Sequence, residues 1–467
     1  VGASTRNGGR RGRRLLWWTI TAVVILALVA TASVVIALRI DREPELPPGV
    51  PPQPAAVAVD PRIDPVVDTA PEPTPPGVLR AITPALRNPA LGELSGKISD
   101  SLTGEVLWTR TPDRPRIPAS NAKILTAAAV LEAVPHDQRL TTTVVAGSNG
   151  QVVLRGAGDP TLSAQPAGTD TFYTDPGRIA DLARQIEETE IPVTSVAVDL
   201  GAFSGPTMDT TWDRRDIQGG DIAPIESLMV DGARLEPLDE YSPRTATPGI
   251  MAGEALAAAL GVEGPVTEVR GTASSGSGDE RVIAKVQSAP LVTRVNDMLR
   301  YSDNVLAETL AVELSVHRGG QPTHAGGVEA IEQVLSSEFP GQWAGTTLHD
   351  ASGISYANRT TPELLDAVMT AASGPAKPAL RPMLDGLPIA GGTGTLADRF
   401  DAADNPGAGW ARAKTGTLTG VSSLTGIVQT VDGRVLSFAL MSGGTSPADA
   451  RPALDAVVGQ LRECGCR

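Results

Sequence analysis

The chain has 467 residues, a formal net charge of −14, four histidines and two cysteines. So acidic a balance argues against a nucleic-acid partner. His136, His317, His324 and His349 form no His-x-x-x-His arrangement and the cysteines no Cys-x-x-Cys pair, so neither a metal site nor a cofactor is expected.

In chain order, residues 1–14 are a basic tail containing Arg6, Arg10, Arg11, Arg13 and Arg14. The 24 residues from Leu15 to Leu38 carry no charge. As a helix they would be about 36 Å long, enough to span a hydrocarbon core of about 30 Å with some tilt. Trp17 and Trp18 stand at the start, and the preceding arginines predict a cytoplasmic N-terminus with everything downstream exported. The apolar region of a cleaved signal peptide is shorter, about 7–15 residues, so the expectation is a single-pass anchor in the cell membrane. Residues 39–85 read as a linker. Twelve of the 36 residues from Asp41 to Pro76 are proline, which fits either a semi-rigid polyproline tether of up to roughly 110 Å or disorder without a spacing role.

Residues 86–142 and 288–467 are expected to form the main domain. Its first motif is Ser120-Asn121-Ala122-Lys123. Ile124, Ala128 and Leu131 recur at helical spacing and Pro118 sits just ahead, so a helix should open at Ser120 and place Lys123 one turn on. A serine hydroxyl needs a base within reach to act as a nucleophile. Lysine can be that base only when neutral, with its pKa brought down from about 10.4 by burial or by a second cation; Lys414 is a candidate for that cation.

Residues 143–287 are rich in Gly, Thr, Val and Asp, with strand-like pieces at Gln151 to Arg155 and Val193 to Asp199 and a helix-like run at Ile179 to Ile186. A small mixed or β-rich accessory domain is expected, shaping substrate only if it overhangs the active site. Beyond it, Leu291, Val295, Met298 and Leu299, then Leu306, Leu310 and Leu314, mark two helices with Ser302-Asp303-Asn304 in the turn between them. Ser302 can relay a proton there, Asn304 can hold a substrate amide or orient Lys123, and Asp303 can cap the second helix.

Ala413 to Leu418, Val421 to Val428 and Val435 to Met441 read as strands, with an Asp432-Gly433 hairpin turn between the last two. A final helix carries Leu454, Val458 and Leu461 on one face. On an edge strand, Lys414 and Thr415 can bind a carboxylate and Gly416 lets a ligand approach the backbone. The Thr417 N–H can join that of Ser120 as an oxyanion hole. Cys464 and Cys466 stand too close for an unstrained mutual bridge and are expected as a free, frayed pair or an intermolecular link.

The ordered set of Ser-x-x-Lys, Ser-x-Asn and Lys-Thr-Gly resembles the D-Ala-D-Ala carboxypeptidase/endopeptidase family of low-molecular-mass (class C) penicillin-binding proteins. Gly158-Asp159-Pro160-Thr161-Leu162, Asn304-Val305-Leu306-Ala307-Glu308, Asp350-Ala351-Ser352-Gly353-Ile354-Ser355 and Gly394-Thr395-Leu396 agree with it. The interval of 182 residues from Ser120 to Ser302 is far longer than in β-lactamases of this architecture. The resemblance implies an α/β (α+β) serine β-lactamase/DD-peptidase-like fold, an antiparallel sheet flanked by helices with an inserted domain. It implies a serine peptidase with Ser120, Lys123, Ser302, Asn304 and Lys414 as catalytic residues and Thr415, Gly416, Thr417 and Asp159 as substrate-binding residues. Peptidoglycan stem peptides would be the substrate and β-lactams covalent inhibitors. A catalytically silent wall-binding scaffold and a β-lactamase are the alternatives; the absence of an E-x-x-x-N string disfavours rapid deacylation. His349 beside Asp350 keeps a Ser-His-Asp arrangement formally open. Family members often have Arg where this chain has Tyr356, with Arg359 three residues on as a possible substitute. Asp159 is read either as part of a site for a stem amino group or as the closure of an ordinary turn.

Overall fold

The computed structural model describes residues 69–269, 281–400 and 405–465. The expected anchor, the basic tail and most of the proline-rich segment lie outside these residues. Among the described residues no helix is long and apolar enough to cross a membrane.

The first helix, α1 (Pro75–Leu86), is capped by the Thr74 hydroxyl and buries Val78 and Ile82. It lies within the stretch expected to be linker, so that expectation is corrected: two apolar residues one turn apart suffice to dock residues 75–86 onto the core. The chain then forms β1 (Ser95–Asp100) and β2 (Val106–Arg110), followed by α2 (Ala122–Ala133). Near the C-terminus come β8 (Ala411–Leu418), β9 (Val421–Gln429) and β10 (Val435–Gly443). These five strands make one antiparallel sheet in the order β2-β1-β10-β9-β8, with β8 at its edge.

The intervening segment builds a second sheet from β3 (Thr141–Ala146), β4 (Gln151–Arg155), β5 (Ser195–Asp199), β6 (Thr267–Glu268) and β7 (Val282–Gln287). Its order is β6-β5-β4-β3-β7, antiparallel around β3 and parallel from β4 to β6. Helices α3 (Ile179–Glu187) and α4 (Pro248–Ala259) share its apolar core, in which Val144, Val152 and Leu154 meet Leu182, Ile186 and Leu256. Helices α5 (Leu291–Tyr301), α6 (Asn304–His317), α7 (His324–Glu338), α8 (Pro362–Ser373) and α9 (Pro447–Arg462) complete the scaffold.

The first sheet is buried on both faces, and β10 shows how. Successive side chains of a strand point to opposite faces. Leu436, Phe438 and Leu440 join α1 and α9 in one core, whereas Ala439 and Met441 join α2, α5, α6 and α8 in the other. Helix α2 is buried almost all round, every residue from Ala122 to Leu131 included. It is therefore a core helix. Cys464 departs from the free, frayed alternative. It is 4% exposed, packs among the residues under α9 and is disulfide-bonded, so it is neither free nor frayed; the chain's only other cysteine, Cys466, lies outside the described residues.

Candidate active site

The turn that carries Ser120 is held from two sides. Ala119 sits at φ 49°, a left-handed conformation rare for a residue with a side chain. The Ser423 hydroxyl donates to the Pro118 carbonyl at 2.7 Å, and Asn121 Nδ2 donates to Thr425 Oγ1 at 2.8 Å. Two glycines make the clamp possible. A Cβ on Gly353, at φ +91°, would collide with the Ala119 carbonyl, and one on Gly416 would lie 2.7 Å from the Pro118 carbonyl. Protein packing by itself thus requires a glycine at 416.

From this turn α2 brings Lys123 underneath Ser120. Lys123 has no exposed surface, and its Nζ lies 3.2 Å from Ser120 Oγ, 2.5 Å from Asn304 Oδ1 and 2.6 Å from the Ser352 carbonyl. The last two groups only accept hydrogen bonds. Asn304 is kept in that orientation because its Nδ2 donates to the Asp221 carbonyl at 2.8 Å. A neutral amine gives its two protons to these oxygens and directs its lone pair at the serine hydroxyl. Burial lowers the Lys123 pKa to about 8, against the pull of Asp350, Glu308, Asp303 and Asp221.

The Ser352 carbonyl is itself held in place. Glu308, buried in α6, accepts from the amides of Ala351 (3.1 Å) and Ser352 (2.8 Å), and its other face meets His324 Nε2 at 3.0 Å. Burial opposes the charge on His324, but Glu308 and Asp209 outweigh it and raise its pKa to about 9. Asp350 organises the rest of the loop, accepting from Gly353, Ser355 and Asn358, and at 2.9 Å from Trp212 Nε1. These donors occupy both carboxylate oxygens of Asp350, so it does not serve His349 as part of a Ser-His-Asp arrangement.

Ser302 ends α5 in a left-handed conformation at φ 56°, and Asp303 caps α6 through the Leu306 amide at 2.8 Å. The Ser302 hydroxyl lines the cavity above Ser120 without a side-chain hydrogen bond to another described residue. Asp303 does more than cap. Its Oδ2 receives Arg234 (2.7 Å), Arg244 (3.2 Å) and the Tyr173 hydroxyl (3.0 Å), all buried. Burial alone would raise its pKa, but Arg244, Arg234 and the Leu306 amide hold it well below the usual carboxylate range.

On β8, Lys414 is wholly buried and donates to the Thr415 carbonyl at 2.8 Å. Its pKa is pushed well down, by burial first and by Lys123 second. Thr415 and Thr395 hydroxyls pair at 2.8 Å, and Thr415, Thr417 and Ser120 all line a cavity of about 610 Å³. Asp159 is not part of it. It is 3% exposed, and its Oδ1 takes the Thr161 amide (2.9 Å) and hydroxyl (2.6 Å), so the turn-closing alternative is the correct one and the substrate-binding one is withdrawn. Tyr356 lines the cavity, with its hydroxyl accepting from the Thr419 amide at 3.0 Å. Arg359 points elsewhere, donating to the carbonyls of Tyr356 and Asn358, so it does not take the place of the arginine.

Much of the opposite wall was not read from the sequence. Asp213, Asp216, Asp221, Glu240, Tyr241 and the Arg234/Arg244 pair all come from residues 209–244 of the inserted segment. No short motif marks them. Arg451, on α9, also lines the cavity and was missed, because nothing in a surface helix distinguishes one arginine from its neighbours.

Comparison with known proteins agrees with this geometry. The profile of the D-Ala-D-Ala carboxypeptidase 3 (S13) family matches residues 78–241 and 236–464. Carboxypeptidase DacB of Mycolicibacterium smegmatis is 47% identical over 448 residues, 95% of this chain and 96% of its own length. D-alanyl-D-alanine carboxypeptidase of Actinomadura sp. is 30% identical, over 81% of this chain and 83% of its own. In fold, penicillin binding protein 4 (dacB) from Haemophilus influenzae superposes with a TM-score of 0.64 at 19% identity, covering 81% of this chain and 98% of its own. Motifs, fold and relatives agree, and the chain belongs to the D-Ala-D-Ala carboxypeptidase (S13) family of peptidases.

Proposed function

We propose that this protein is a serine-type D-Ala-D-Ala carboxypeptidase that trims peptidoglycan stem peptides through an acyl-enzyme, with capacity to cleave D-Ala cross-links, and that β-lactams acylate it covalently. The observation that carries the reading is the buried Lys123 Nζ, 3.2 Å from Ser120 Oγ and otherwise bonded only to acceptors. Ser120 Oγ attacks the carbonyl between the two D-alanines while its proton passes to Lys123. The oxyanion forms against the N–H groups of Ser120 and Thr417, an arrangement in which one donor contributes about 2.7–4 kcal/mol. Ser302 passes the proton to the departing amine, D-alanine leaves, and water activated by Lys123 hydrolyses the ester. Lys414 lies buried behind the strand, bonded to the Thr415 carbonyl, and Thr415 and Thr417 face the leaving group's carboxylate. A silent scaffold would have no use for a buried lysine, which is costly to keep without a charged partner.

The inserted segment, expected as a domain over 143–287, shapes the substrate site in this reading because residues 209–244 overhang Ser120. Leu15 to Leu38 would anchor the protein in the cell membrane with its catalytic part on the extracytoplasmic side, and the proline-rich stretch would hold it away from the bilayer. The direct test is incubation of the full-length protein with a pentapeptide ending in D-Ala-D-Ala, followed by mass spectrometry. Loss of one alanine is expected. An unchanged peptide in the presence of correctly folded protein would overturn the proposal.

A further inference from the structure

A peptidase that trims a free C-terminus must recognise a carboxylate, and Lys414 is the obvious cation in the motif. It is badly placed for direct contact. It has no exposed surface, its Nζ is engaged by the Thr415 carbonyl, and it does not line the cavity. The alternation of β8 explains why: Thr415 and Thr417 share one face of the strand, whereas Lys414 and Gly416 share the other.

Arg451 approaches Thr417 from α9. Its Nε lies 3.3 Å from Thr417 Oγ1, its side chain lines the cavity, and among the described residues it makes no ion pair. Its neighbour Arg399 is already neutralised by Asp455, with Nε 3.1 Å from Oδ2. Burial and the adjacent Arg399 disfavour the charge on Arg451, a cost that an arriving anion would relieve. Thr415 and Thr395 share a single hydroxyl–hydroxyl contact, so one of their two protons remains for a ligand. A guanidinium matches a carboxylate with two parallel hydrogen bonds, whereas an ammonium offers a point charge.

Building on the carboxypeptidase reading, we infer that Arg451, with the hydroxyls of Thr415 and Thr417, is the group that recognises the terminal carboxylate of the substrate, and that Lys414 does not contact it. Arg451 is therefore a specificity residue that sets the preference for a free C-terminus, and Lys414 is a rate residue that acts on any peptide bound over Ser120.

The test measures kcat/KM of the full-length protein on a D-Ala-D-Ala pentapeptide and on its C-terminal amide. The wild type should prefer the acid. Arg451→Gln should cut the acid-to-amide ratio by about ten-fold, the scale of one charged contact, and Arg451→Lys should recover part of it. Lys414→Gln should slow both peptides by similar factors and leave the ratio in place. Circular dichroism and a thermal melt check that each variant is folded. If Arg451→Gln keeps the wild-type ratio, or if Lys414→Gln alone abolishes it, the inference is overturned. A wild type that cleaves acid and amide equally would overturn it while leaving the carboxypeptidase reading standing. A wild type that cleaves neither would overturn that reading and the inference together.

Discussion

Two walls face each other across the cavity, one built by α2, β8 and the 350–355 loop, the other by residues 209–244 of the inserted segment. In the first, the groups that position Ser120 are held: Lys123 is bonded on three sides, Asp350 and Glu308 accept from backbone amides, and two glycines allow the backbone to close on Pro118 and Ala119. In the second, Tyr241 is 77% exposed, and partial desolvation at the cavity edge together with the charge of a neighbouring aspartate raises the pKa of Asp216 and Asp221. Bond-making chemistry needs donors and acceptors fixed before the substrate arrives. Recognition can leave polar groups unpaired until a ligand pairs them. The first wall should thus respond to substitution in rate and stability, the second mainly in KM.

The largest effect is expected at Lys123. Lys123→Ala removes the base that lies 3.2 Å from Ser120 Oγ, and general-base catalysis contributes about 10²–10⁴-fold; hydrolysis of the pentapeptide should fall by at least that factor in single-turnover assays. Next comes Asp303, which joins the two walls through Arg234 and Arg244. Asp303→Ala leaves two buried guanidiniums without their carboxylate and removes a helix cap, costing about 3–5 kcal/mol in urea denaturation, despite lying outside the chemistry.

The pH profile sharpens the comparison further. Lys123 must be neutral to accept the proton, and its folded-state pKa lies near 8, below its ordinary value. The kcat/KM of the wild type should therefore rise with pH and level off above about 8. Glu308 pulls the Lys123 pKa upward, so Glu308→Gln should move this acid limb to lower pH while reducing kcat, because the loop that holds the Ser352 carbonyl loosens. A fall in kcat with no displacement of the limb would mean that Glu308 is structural only. The smallest effect belongs to the second wall: Asp216→Asn should change stability by no more than about 0.5 kcal/mol in thermal melts, and any kinetic change should appear in KM.

The same contrast governs what could be read from the sequence. Ser120, Lys123, Ser302, Asn304 and Lys414 were legible because the chemistry demands fixed residue types at short spacings on a helix, a turn and a strand. The three C-terminal strands of the first sheet were legible and the second helix start was legible from Asp303, whereas β1 and β2, which complete the sheet, were not read. Arg234 and Arg244 reach Asp303 from the inserted segment, roughly sixty residues away in the chain, and no local pattern encodes that meeting. Asp159 misled because a turn-closing aspartate and a ligand-binding one look alike in a string; only its burial separates them. Gly416 was read for a ligand, whereas the packing of Pro118 and Ser423 against it is a tertiary contact invisible to the motif. Helix α1 was hidden by the proline-rich composition that precedes it.

The central claim is that Ser120 is the nucleophile and Lys123 the base that activates it. Full-length protein treated with penicillin, digested with protease and analysed by tandem mass spectrometry tests this most directly, with Ser120→Ala as the control. The account predicts a single penicilloyl adduct on the peptide bearing Ser120 and none on the folded Ser120→Ala protein. An adduct on another residue, or wild-type labelling of Ser120→Ala, would contradict it.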